Sequence, residues 1–305
     1  MIAILGPGGV GGFLAAALAR AGESVVVVAR EQTAASIAQR GIAIESVRLG
    51  AFTCHPEVTT ELATAAGVLL VSTKATSLEE ALARIRREPE LVVPLLNGLD
   101  HMRALRARFD PERVAAGTIR IESDRVAPGR IVQTSPSVRV ELAADRPRAR
   151  AAVQRLAARL GLAAIPTVTG ASEAQILWSK LVRLCALALT TSACDRPIGF
   201  VRGDPQWRAA LEACVFEAAA VAGADGARID PAGPIGELDA AHPELGSSMR
   251  RDLAAGREPE LDAIAGSLLR AAARHALDCP TIARLSEQVA RQAGLKPRLG
   301  EVGWR

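Results

Sequence analysis

The chain opens on a short apolar run, Met1–Leu5, with glycines directly after it, and a second run, Ser24–Ala29, holds four consecutive valines. An unbroken apolar run of this length between turn residues fits a strand covered on both faces. Val68–Ser72, Leu91–Leu96 and Val114–Ile121 read the same way. Between them the spacing becomes helical, over Phe13–Arg20, Thr33–Arg40 and Leu78–Arg87. Strands alternating with helices predict a parallel sheet with helices on both sides. Pro128-Gly129 predicts a turn that pairs Arg120–Ser123 with Ile131–Thr134 as an antiparallel hairpin, and Val138–Leu142 is a further strand candidate. After about Pro166 the strand signal fades. Glu173–Ala193, Pro205–Ala222, Leu238–Ala255, Glu260–Leu277 and Thr281–Gln292 all read as helices. The expected organisation is an α/β domain over residues 1–167 followed by an all-helical domain over 168–305.

The turn after the first strand, Gly6-Pro7-Gly8-Gly9-Val10-Gly11, matches GxGxxG. Alone the pattern is weak. Here it follows a strand, opens a helix and precedes a second buried strand, which is the context of a Rossmann-type dinucleotide site. Glycines allow the tight turn and let the backbone approach a pyrophosphate, while the helix N-terminus offers amides and a positive dipole to that anion. At the end of the second strand, where NAD sites place an acid for the ribose hydroxyls, this chain has Arg30. A guanidinium suits a 2′-phosphate, so NADP(H) is the expected cofactor. Glu31 follows directly and competes for the acidic role. Asn97-Gly98 and Thr73-Lys74-Ala75 end two further strands at the edge where such sheets bind ligands, and either could be no more than a polar turn.

Composition sharpens a few positions. Of 37 Lys+Arg only Lys74, Lys180 and Lys296 are lysine, Asn97 is the sole asparagine, and tyrosine is absent. Lys180 shares a helix face with Ile176, Leu184 and Leu187. It is therefore either a snorkelling side chain or an ammonium aimed into a cleft, and unlike arginine it can release a proton as a general acid. Five widely spaced cysteines without a CxxC pair fit a reducing, cytoplasmic setting. No secretory signal is read at Met1–Leu5, and Arg183 interrupts the longest membrane-span candidate. Net charge is +4 with few aromatics, so no nucleic-acid or membrane partner is expected. No GxSxG or HExxH occurs, and the four histidines lack metal-ligand spacing; no metal is expected.

With these residues in place, the chain resembles the ketopantoate reductase (2-dehydropantoate 2-reductase) family over nearly its full length. The likeness rests on Gly6–Gly11 with Arg30, Thr73-Lys74-Ala75 and Asn97-Gly98, then on Leu177-Trp178-Ser179-Lys180-Leu181. A third stretch comprises Ser247-Ser248-Met249, Asp252, Gly256-Arg257, Glu260, Asp262, Gly266 and Pro280. The resemblance implies NADPH-dependent reduction of a 2-oxo acid in a cleft between the domains, as in pantothenate biosynthesis. It implies that Lys180 polarises and protonates the carbonyl oxygen. Glu260 would help bind the cofactor and serve as the anionic partner of Lys180. Asn97 and Lys74 would orient the nicotinamide end, with Asn97 and Ser248 at the substrate. Read without the family, Glu260 is equally a favourable first-turn carboxylate after Pro259.

The chain also departs from the family. Four positions that carry substrate-binding asparagine hold Leu184, Ala188, Ile198 and Leu245 here. Each lost polar partner in a desolvated site is worth about 1 kcal/mol or more. The expected substrate is therefore either ketopantoate in a rebuilt pocket or a more apolar 2-oxo acid. A cofactor-binding regulator without turnover is a third reading, which Lys180 and Glu260 oppose. Arg183 is a candidate for the substrate carboxylate and equally a surface arginine. The Ala-rich helical domain can bury its faces internally or against a second subunit in a homodimer.

Overall fold

The computed structural model describes residues 1–297 and 302–304. The chain packs as two compact units, Met1–Leu96 with His101–Ile176, and Asn97–Asp100 with Leu177–Arg305. In the first unit β1 (Ile2–Leu5), α1 (Gly9–Arg20), β2 (Val25–Val28), α2 (Glu31–Arg40), β3 (Ile42–Ser46), β4 (Gly50–Cys54), β5 (Glu57–Thr59), β6 (Val68–Val71), α3 (Leu78–Leu82) and β7 (Val92–Pro94) follow in turn. After them come α4 (His101–Arg108), β8 (Ala116–Arg120), β9 (Ser123–Ala127), β10 (Arg130–Gln133), β11 (Arg139–Ala143), α5 (Pro147–Leu162) and β12 (Thr167–Thr169).

Five strands form a parallel sheet in the order β5-β2-β1-β6-β7. Every residue of β1, β2 and β6 is buried, which explains the unbroken apolar runs. Order reverses at β1, so the loop after β1 lies at the switch point where such sheets bind ligands. A second sheet, β4-β3-β10-β9, contains a hairpin around Pro128-Gly129, with Gly129 at φ +74°, but its first strand is Ser123–Ala127 and not Arg120–Ser123, because Arg120 ends β8 and pairs with Arg139 of β11. Its other half, the β3–β4 hairpin, was not foreseen. A third sheet runs β12-β11-β8.

Helix α1 starts at Gly9, four residues before the apolar pattern does, because glycines carry no periodicity to read. Helix α3 stops at Leu82, short of Arg87, because the chain beyond it pairs with Leu62: Leu62 N donates to Arg84 O at 2.8 Å and Arg86 N to Leu62 O at 2.9 Å.

In the second unit α6 (Glu173–Cys194), which begins in the first, is followed by α7 (Ile198–Gly203), α8 (Pro205–Ala224), α9 (Ala232–Asp239) and α10 (Ser248–Ala254). A π-helical turn, Asp262–Gly266, then leads into α11 (Ser267–Arg274) and α12 (Pro280–Ala293). The helix expected over Leu238–Ala255 is broken. Its apolar spacing continues, but Pro243 and Gly246 interrupt it, and Ser247 caps a new helix by accepting a hydrogen bond from Arg250 N at 3.1 Å. Helix α6 has 22 residues and a mean hydropathy of 1.3 over its most apolar window, yet 78% of that window is buried inside the protein. Its apolar face is accounted for by core packing.

Candidate active site

The loop between β1 and α1 uses its glycines for different reasons. Gly6 sits at φ +91°, and a Cβ there would lie 2.7 Å from Thr73 Cγ2; a Cβ on Gly11 would lie 2.2 Å from Gly6 O. The fold itself therefore requires both. Gly8 is different: a Cβ there would meet nothing within 4 Å. It caps a twelve-residue helix that has no side-chain cap and no acidic residue in its first turn. Pro7 is buried, Val10 packs on the core, and Ser123 Oγ donates to Gly9 O at 2.9 Å, pinning the first turn of α1 to β9. An uncapped N-terminus with an open glycine approach suits a pyrophosphate, so these residues fit a dinucleotide.

Arg30 is the residue before α2 and is exposed, with Nη2 donating to Glu80 Oε2 at 2.8 Å. Glu31, the first residue of α2, is paired with Arg84 at 3.0 Å. Hydrogen bonding from Arg84 holds the Glu31 carboxyl below the usual carboxylate range. Lys74 is exposed and caps the 3-10 turn Ala75–Ser77 just after β6.

Asn97 belongs to the helical unit although the chain on both sides of its loop belongs to the other. Its Nδ2 donates to Glu260 Oε2 at 3.0 Å. Two further contacts hold the loop. Gly98, at φ +82°, passes so close to the π-helical turn that a Cβ would lie 1.8 Å from Ala263 O. Asp100 Oδ2 accepts from Arg270 Nη2 at 2.7 Å, and Arg270 also pairs with Asp262 at 2.9 Å. Glu260 lies two residues before the first residue of the turn, and its carbonyl accepts from Ile264 N at 3.1 Å. Irregular helical turns of this kind concentrate at functional sites.

Lys180 is half-buried on α6. Two residues earlier the fully buried Trp178 donates from Nε1 to Asp225 Oδ2 at 2.9 Å, tying this stretch of α6 to the end of α8. In the Ser-Ser-Met stretch the roles separate: Ser247 caps, Met249 is core, and Ser248 is exposed at the start of α10. Of the four apolar replacements Ala188 and Ile198 are fully buried, while Leu184 and Leu245 are half-buried. Ile198 N donates to Leu245 O at 2.9 Å, so two of them are neighbours. Arg183 pairs with Glu237 at 3.1 Å. Arg84, Asp100, Arg270 and Asp225 were not foreseen; Asp100 adjoins the foreseen Asn97-Gly98, while its pairing with Arg270, like those of Arg84 with Glu31 and Asp225 with Trp178, arises only in the tertiary fold. Among the described residues no group of three or more His, Cys, Asp or Glu could hold a metal ion, and all five cysteines are free thiols.

The sequence model described as ketopantoate reductase PanE/ApbA matches residues 2–145, and its C-terminal counterpart matches residues 174–293. A 2-dehydropantoate 2-reductase of Caulobacter vibrioides is 30% identical over 288 residues, covering 92% of this chain and 94% of the relative. The crystal structure of 2-dehydropantoate 2-reductase from Geobacter metallireducens superposes with a TM-score of 0.87 at 26% identity, over 95% of this chain and 99% of that one. A D-mandelate dehydrogenase solved with NADH and anilino(oxo)acetate has the same fold, with a TM-score of 0.88 at 20% identity over 96% and 98% of the two chains. The chain belongs to the ketopantoate reductase family of oxidoreductases.

Proposed function

We propose that this protein reduces a 2-oxo acid to the 2-hydroxy acid with NADPH, the Gly6–Gly11 loop, Arg30 and Lys74 holding the cofactor and Lys180 supplying the proton. The observation that carries the reading is the Asn97–Glu260 hydrogen bond. It joins two separately named motifs within the unit that also contains Lys180 and Ser248. The bound cofactor supplies the hydride. The amides at the start of α1 bind its pyrophosphate, and the Arg30 guanidinium binds the 2′-phosphate by charge-assisted hydrogen bonds. The Lys180 ammonium polarises the substrate carbonyl and releases its proton to the oxygen. The Glu260 carboxylate favours the charged form of that ammonium, and Asn97 orients Glu260. Ser248 hydrogen-bonds the substrate. Residues 1–167 serve as the NADP-binding part and 168–305 as the substrate part, in a reducing, cytoplasmic setting supported by the free thiols.

Ketopantoate, the substrate in the step toward pantothenate, is the first candidate. A more apolar 2-oxo acid is favoured by one observation, the adjacency of Ile198 and Leu245. The fold shared with a mandelate dehydrogenase is consistent with that second reading. The test is NADPH consumption with ketopantoate and a panel of alkyl and aryl 2-oxo acids, in wild type and Lys180→Ala. Turnover lost in Lys180→Ala with NADPH binding retained supports the reading. Ketopantoate turning over faster than every apolar acid eliminates the apolar substrate. Binding of NADPH without turnover of any acid leaves a regulator and overturns the enzyme reading.

A further inference from the structure

At the end of β2 four charged residues form a lattice within the first unit. Arg30 and Glu31 are consecutive at the β2–α2 junction, while Glu80 and Arg84 stand one helical turn apart on and just beyond α3. Arg30 Nη2 meets Glu80 Oε2 at 2.8 Å, and Arg84 Nη1 meets Glu31 Oε1 at 3.0 Å. A longer contact, 3.9 Å from Arg84 Nη2 to Glu80 Oε1, closes the chain of charges. The four are not equally exposed. Glu31 has three-quarters of its side chain exposed, whereas Arg84 has 18%. Arg84 also donates to Thr60 O at 3.2 Å, next to β5, so it is anchored independently of Glu31.

A carboxylate at this junction has two possible effects on a dinucleotide. Free, it can accept from the ribose hydroxyls of NADH, and it repels a 2′-phosphate. When an anchored guanidinium holds it, its charge is offset and its orientation constrained, which weakens both effects. We propose that Arg84 is a specificity-determining residue for the cofactor: it sequesters Glu31, leaving Arg30 as the group that reads the 2′ position. The inference rests on the NADP reading given above, and it assigns a role to a residue 53 positions from its partner.

Binding of NADPH and NADH, measured by quenching of protein fluorescence or by calorimetry, tests it without turnover. In Arg84→Met, Glu31 is released, and NADH binding is expected to tighten about fivefold while NADPH binding weakens, the scale of one exposed ion pair. In Glu31→Gln/Arg84→Met the NADH gain is expected to vanish. Glu31→Gln alone is expected to leave NADH affinity unchanged, because Glu31 is already engaged; this arm needs no change at Arg84. NADH binding that fails to tighten in Arg84→Met, tightens equally in the double variant, or weakens in Glu31→Gln overturns the inference. A wild type that binds NADH more tightly than NADPH overturns the NADP reading itself, and the inference with it.

Discussion

Asn97 and Glu260 lie 163 residues apart in sequence and meet side chain to side chain, with Asn97 Nδ2 3.0 Å from Glu260 Oε2. The amide donates to one carboxylate oxygen and so helps to fix the orientation of the acid. Asn97→Ala is expected to lower kcat/KM by about tenfold to a hundredfold, the scale of a lost hydrogen bond to a charged group. Steady-state kinetics with the best substrate from the panel checks it, and an unchanged kcat/KM would remove Asn97 from the site.

Arg270 is the second hold on the same loop, bridging Asp100 and Asp262. Its side chain is 19% exposed, and its removal deprives the partly exposed Asp100 and Asp262 carboxylates of the cation they share. Arg270→Ala is expected to cost about 1–2 kcal/mol, discounted from a fully buried pair because the aspartates are partly exposed. Thermal unfolding would show this as a Tm lower by a few degrees, on the order of 2–4 °C per kcal/mol.

Glu217 on α8 accepts from the backbone N–H groups of Thr281 and Ile282, each at 2.9 Å, and so caps α12 from another helix. Glu217→Ala is expected to destabilise the protein by about 1–2 kcal/mol through loss of these helix-end partners. Glu217→Gln, which keeps an acceptor, should recover part of that in denaturant titrations.

Glu23 pairs with Arg159 on α5, with Arg159 Nε 2.9 Å from Glu23 Oε1. The hydrogen bond from Arg159 holds the Glu23 carboxyl below its ordinary value of 4.5. A carboxyl depressed in the folded state stabilises fully above the unfolded value and loses that stabilisation as pH falls through the folded one. Glu23→Gln is thus expected to be less stable than wild type near pH 7, the difference shrinking to nothing as pH falls through the depressed value of Glu23. A difference that persists at low pH would assign the effect to packing.

Where the sequence was informative, the reason was local. The buried strands β1, β2 and β6 appear as apolar runs, and the glycine turn announces both a strand end and a helix start. Where it was not, two kinds of cause apply. The break in the helix expected over Leu238–Ala255 comes from Pro243 and Gly246 overriding a continuous apolar spacing. The early end of α3 comes from Leu62, a partner twenty residues upstream of Leu82. The site divides the same way. Arg30, Lys180 and Glu260 stand in motifs, whereas the pairings of Arg84 with Glu31 and of Arg270 with Asp100 span 53 and 170 residues and leave no local pattern to read.

The loop Asn97–Asp100 has a consequence for anyone dissecting the gene. The polypeptide passes from one unit to the other on entering the loop, returns on leaving it, and passes over once more within α6. No single cut can recover both units whole. A fragment ending anywhere between residues 101 and 176 carries the loop away from Glu260, Ala263 and Arg270. The complementary fragment is left with an acid and an arginine deprived of Asn97 and Asp100. Co-expressed halves would have to find each other before either finished folding.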